Sequence, residues 1–136
     1  MINLKRTTIA VMATLISVGG MSVAASKAYA STEISGQVQC VDELAVEGVW
    51  IQASSGGSGW ASLRNVEASG YTKNFSYSLP HGGAWTVHVG CGGSTSDWKY
   101  KPNGNATTTA TYQSWLCITP DDGVPWPEPN DYCMKD

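Results

Sequence analysis

Two imidazoles, a glycine-flanked serine, a patch of side-chain oxygens and four cysteines are the groups in this sequence whose types could support chemistry. His81 and His88 are the only histidines, and seven residues separate them. An extended chain between them puts them on opposite sides of a pleat and roughly 20 Å apart, which rules against a shared metal ion or proton relay. Ser58 sits in Gly56-Gly57-Ser58-Gly59-Trp60, which lacks the second glycine of the G-x-S-x-G turn that presents a hydrolase nucleophile. It reads instead as a hairpin loop. Asp121, Asp122, Asn130 and Asp131 supply the oxygen atoms that calcium favours. Their spacing is not that of an EF-hand, and a solvated, proline-rich tail accounts for them without an ion. Paired carboxylates for glycoside hydrolysis would need a deep cleft, which so small a chain rarely provides. The expectation is a protein that is not an enzyme and holds no metal and no cofactor.

Cys40, Cys91, Cys117 and Cys133 are even in number and contain no Cys-x-x-Cys spacing, which favours two disulfides over a zinc or redox site. Three connectivities are open. The expected one joins Cys40 to Cys91, tying an early strand to a later one, and Cys117 to Cys133, closing the tail. In the loop-entropy model each closure contributes roughly 3 to 4 kcal/mol.

Disulfides persist where proteins are exported, and residues 1–30 read as an export signal. Lys5 and Arg6 precede an apolar run over 9–18, and Ala28-Tyr29-Ala30 gives a small-x-small cleavage pattern before Ser31. Gly19 and Gly20 interrupt the apolar run well short of the about 20 residues that span a bilayer. Cleavage after Ala30 predicts a secreted, extracellular protein with no membrane insertion, in which residues 31–119 form one domain and 120–136 a Pro-rich tail. Loss of Lys5, Arg6 and Lys27 with the leader leaves five basic residues against eleven acidic ones, a formal charge of −6. That balance repels phosphate backbones and anionic membranes, so nucleic acid is not an expected partner. The chain is expected to be a monomer.

The elements that must position these groups are strands. Residues 71–79 and 85–91 alternate apolar and polar on either side of Pro80-His81-Gly82-Gly83, which predicts a β-hairpin with Phe75, Leu79, Trp85, Val87 and Val89 turned inward. Further strands are predicted over 34–41, 46–54, 60–63, 105–112 and 115–119. The tail from Pro120 has four prolines in ten residues. It cannot continue a ladder, and it is expected to cross the surface pinned by Cys133. No apolar period of 3.6 persists for three turns. The predicted fold class is therefore all-β, a small antiparallel Ig-like or prealbumin-like β-sandwich of six or seven strands, with a small closed barrel as the alternative.

The strings ISGQV, AVEGVWIQA and NFSYSLPHGGAWTVHV resemble the carboxypeptidase-regulatory-like, or prealbumin-like, modules of secreted bacterial proteins. The match rests on Gly36, Val38, Gly48, Val49, Leu79, Pro80 and Gly83. These are scaffold positions, so the resemblance implies a sandwich fold and brings no catalytic residue. GVWIQASSGGSGW and LPHGGAWTVHVGCGG are also similar to small exported proteins of Gram-positive, notably actinobacterial, species.

Six tryptophans are too many for the core of a sandwich this small. Trp85 and Trp115 are assigned to the core. Trp50 projects opposite Val49 and Ile51, Trp60 and Trp98 adjoin glycine-rich loops, and Trp126 lies between two prolines. Exposed indoles stack on sugar rings or anchor protein partners. Trp50, Trp60, Trp98 and Trp126 are thus the candidate binding residues for an extracellular carbohydrate, cell-wall or protein ligand. The alternative is a small disulfide-stabilised inhibitor or antagonist of an external enzyme or competitor cell, presenting the loop 54–60 or 92–98.

Overall fold

The computed structural model describes residues 30–119 and 131–136. The export signal, Trp126, Asp121, Asp122, Asn130 and the four tail prolines lie outside the described residues.

The described chain is all-β, with no helix among the described residues. Its strands are β1 (Thr32–Cys40), β2 (Val46–Ala53), β3 (Gly59–Trp60), β4 (Ser62–Asn65), β5 (Thr72–Leu79), β6 (Trp85–Gly93), β7 (Trp98–Tyr100), β8 (Asn103–Gly104), β9 (Trp115–Ile118) and β10 (Tyr132–Lys135). Nine of them form one hydrogen-bonded path in the order β3-β2-β6-β8-β10-β9-β1-β5-β4, and β7 adds to β6. The two ends of the path, β3 and β4, are parted in sequence only by Ala61, whose N–H donates to the Val49 carbonyl at 2.9 Å. The chain itself therefore carries one end of the sheet across to the other. The result is a nearly closed barrel of ten strands among the described residues, where six or seven strands in two layers were expected. The difference comes from β7, β8 and β10 and from the division of the expected 60–63 strand into β3 and β4, set against the loss of 105–112; β3, β7 and β8 are pieces of two or three residues. They are too short to show a period in sequence, yet they fill what would otherwise be open edges.

The expected hairpin does not form. β5 pairs with β1 and β4, and β6 pairs with β2, β7 and β8. The Pro80–Gly83 turn is an arch that carries the chain across the core, so the apolar faces of its two arms meet instead of lying side by side. Phe75 of β5 and Trp85 of β6 stand edge to face with centroids 5.9 Å apart, and Trp85 meets Trp115 of β9 in the same way at 6.0 Å. The faces themselves are as the alternation predicts. Ile34 and Val38, Val49 and Ile51, Phe75 and Leu79, and Val87 and Val89 are all buried. Trp85 and Trp115 belong to the same core, and the Trp85 Nε1–H donates to the Ala110 carbonyl at 3.0 Å.

Two segments depart further from expectation. The threonine-rich 105–112 makes only single bridges, Thr108 to Trp85 and Tyr112 to Ser35. β-Branched residues alone do not make a strand where no alternating apolar face exists to be buried. Tyr132–Lys135, expected to cross the surface, is instead an interior strand between β8 and β9. Residues 131–136 contain no proline to break its ladder, and Cys133 is fully buried.

Both disulfides have the expected connectivity, Cys40 to Cys91 and Cys117 to Cys133. The first joins β1 to β6 across the core, and the second joins neighbouring β9 and β10. Their sequence separations of 51 and 16 residues predict an order of effect. Replacing Cys40 and Cys91 together with alanine should lower unfolding free energy by about 4 kcal/mol, and replacing Cys117 and Cys133 by about 3 kcal/mol. Urea denaturation measures both; a loss under about 1 kcal/mol for the first pair would show that the β1–β6 link does not constrain the unfolded chain.

Candidate functional site: an aromatic cluster on the outer face of β2 and β6

Alternation along β2 sends Val49, Ile51 and Ala53 inward, so Gly48, Trp50 and Gln52 point away from the core. On β6, Trp85, Val87 and Val89 point inward, leaving Thr86, His88 and Gly90 on the opposite face. The antiparallel register sets Trp50 opposite His88 and Gly48 opposite Gly90. β3 places Trp60 beside Trp50, and β8 places Asn103 beside His88. One lateral row therefore crosses four strands in the order Trp60, Trp50, His88, Asn103.

Trp98 reaches the same face by a different route. The chain leaves β6 through Gly93, at a φ of 85°, and turns back within residues 94–97. There the Ser94 N–H donates to the Asp97 carbonyl at 2.9 Å, and the Asp97 N–H to the Ser94 carbonyl at 3.2 Å. The returning β7 lays the Trp98 indole over the Gly48–Gly90 pair. A Cβ on Gly90 would overlap the ring, and one on Gly48 would lie 2.5 Å from Trp98 Cζ2 and 3.3 Å from Trp60 Cζ3. These two glycines are required for their lack of a side chain, because the aromatic ring occupies that space.

Trp60 is the centre of the cluster. Its ring stands 5.2 Å from Trp50 at 81° and 5.5 Å from Trp98 at 90°. Edge-to-face pairs of this kind contribute about 0.5–1.5 kcal/mol each beyond burial. Trp60 is 61% exposed, while Trp50 and Trp98 are partly buried. Three of the four tryptophans expected to bind are thus brought together, and the fourth, Trp126, lies outside the described residues. The patch offers apolar ring surface beside the imidazole of His88 and the amide of Asn103, a combination that suits an amphipathic ligand. Three mutually steep rings cannot all stack on one flat surface.

The groups with catalytic potential are dispersed. Ser58 Oγ accepts the Ala53 N–H at 2.9 Å and holds the β2–β3 loop closed. His81 is exposed in the arch between β5 and β6, away from the polar row that contains His88. No group of three metal-ligating side chains occurs among the described residues. The loops considered for an inhibitor are compact. Residues 54–58 are braced by Ser54 N–H to the Ala84 carbonyl and by the Tyr77 hydroxyl donating to the Gly57 carbonyl, and 94–97 closes on itself.

Asn103 and the supporting role of Gly90 were not apparent in the sequence, because both depend on pairing register. His88 is the cross-strand neighbour of Trp50. No protein-family model matches the chain, and no curated protein matches it at a significant level.

The glycine pair gives a direct test. Gly90→Ala should displace Trp98, costing about 1–3 kcal/mol as overpacking does, with loss of near-ultraviolet circular dichroism from the coupled indoles and an unchanged far-ultraviolet spectrum. An unaltered near-ultraviolet spectrum would contradict the placement of Trp98.

Proposed function

We propose that this is a secreted, non-catalytic β-protein that acts by binding an extracellular carbohydrate, a cell-wall glycan above all, through Trp50, Trp60 and Trp98. The observation that carries this reading is the collection of three indoles outside a core that already holds Trp85 and Trp115. Aromatic surface left in water has a cost, and stacking against the C–H face of a sugar removes it while the ring hydroxyls meet polar neighbours such as His88 and Asn103. The steep ring angles favour a single glycan chain that can turn from one indole to the next over a flat crystalline surface.

Export is supported by the two disulfides and by the signal-like leader. Among the described residues no helix is long and apolar enough to cross a membrane. We read the paired β1–β5 and β2–β6 strands, which face each other across the core, as a sandwich-like kernel of the carboxypeptidase-regulatory-like type to which the short strands are added.

The test is retention on insoluble cell-wall polysaccharides and on a glycan array, with a protein array and protease and amylase panels as controls. Wild-type protein should be retained by at least one glycan, and Trp60→Ala should weaken retention at least tenfold, about 1.4 kcal/mol. Absence of retention on every glycan, equal retention of Trp60→Ala, or inhibition of an enzyme in the control panels would overturn the proposal.

A further inference from the structure

A second surface, along β5 and β4, carries a polar groove that begins two residues past Trp60. β5 turns Phe75 and Leu79 inward, so Asn74, Ser76 and Ser78 face outward. β1 and β4 flank it, and the registers align two rows. Gln37, Asn74 and Arg64 form one, and Ser35, Ser76 and Ser62 form the next. Between β4 and β5 lies a groove of about 240 Å³, lined by Ser62, Leu63, Arg64, Asn74, Phe75 and Ser76.

The groove carries several side-chain N–H and O–H donors. The Gln37 side-chain amide donates to Asn74 Oδ1 at 3.3 Å, which orients the Asn74 amide and leaves its NH₂ to donate. Arg64 is exposed, and its guanidinium has no ion-pair or hydrogen-bond partner among the described residues. Its guanidinium adds five N–H donors in a planar fork that matches a carboxylate. The hydroxyls of Ser62 and Ser76 complete the rim. Glu33, the one acid within β1, β4 and β5, stands opposite Ser78, two rows from Arg64. Leu63 and Phe75, cross-strand partners that face the core, form the floor between the two rows.

We propose that this groove binds a carboxylate-bearing ligand, either a free sugar acid or the same acid as a residue of an acidic polysaccharide. Arg64 receives the carboxylate through its fork, and Asn74 and the two serines donate to the remaining oxygens. A single guanidinium among neutral donors suits one negative charge. A dianionic phosphate would call for more cations.

The test is a ¹H–¹⁵N NMR titration of the exported protein with galacturonic acid, trigalacturonic acid, neutral galactose and inorganic phosphate. Both acids should shift the Arg64 Nε–H and the Asn74 side-chain amide, and galactose should not. Arg64→Gln, a change at an exposed position, should weaken acid binding at least tenfold, and Trp60→Ala should leave it unchanged, which keeps this site distinct from the aromatic one. Trimer binding more than tenfold tighter than monomer would assign the polymer, and comparable affinities the free acid. Lack of shifts with both acids, an unaffected Arg64→Gln variant, or phosphate binding tighter than either acid would overturn the proposal.

Discussion

The antiparallel register of β2 on β6 decides both what this protein buries and what it displays. With Val49 opposite Val89 and Ile51 opposite Val87, the inner face is an unbroken aliphatic surface. The same pairing sets Trp50 against His88 and the two glycines against each other on the outer face. A slip of one residue would turn every one of these side chains to the wrong side. It would expose the valines and bury His88, so the core enforces the register and the outer cluster follows from it.

This strand pair therefore works as a wall between two aromatic groups. Inside, Trp85 links Phe75 of β5 to Trp115 of β9 and connects parts of the sheet that share no hydrogen bonds. Outside, Trp60 joins Trp50 and Trp98. The Cys40–Cys91 disulfide crosses from β1 to β6 and holds the wall against the far side of the barrel. A rigid backing of this kind lets exposed indoles keep fixed angles, which would reduce the ordering cost of the binding proposed for them.

Much of this was legible in the residues. Alternation identified the buried faces of β1, β2, β5 and β6, and cysteine count with export context identified two bridges. Trp50 could be placed outside because Val49 and Ile51 bracket it. Alternation reports faces, however, and not neighbours. The Pro80–Gly83 turn looked like a hairpin because an arch between facing strands has the same local chemistry. β10 escaped notice because the prolines before it suggested a tail, and 105–112 misled because threonine has strand propensity without an apolar face to bury. The convergence of Trp50, Trp60 and Trp98 required the register of three strand pairs and the reversal at Gly93, none of which a linear pattern encodes.

Everything proposed for the aromatic face requires that its three indoles form one cluster separate from the two in the core. Ring-to-ring nuclear Overhauser effects among the assigned tryptophans measure this directly. The account predicts cross-peaks from Trp60 to both Trp50 and Trp98, a separate cross-peak between Trp85 and Trp115, and strong broadening by a soluble paramagnetic agent at Trp60 with none at Trp85. Cross-peaks joining Trp60 to Trp85 or Trp115, or broadening at Trp85 equal to that at Trp60, would contradict it.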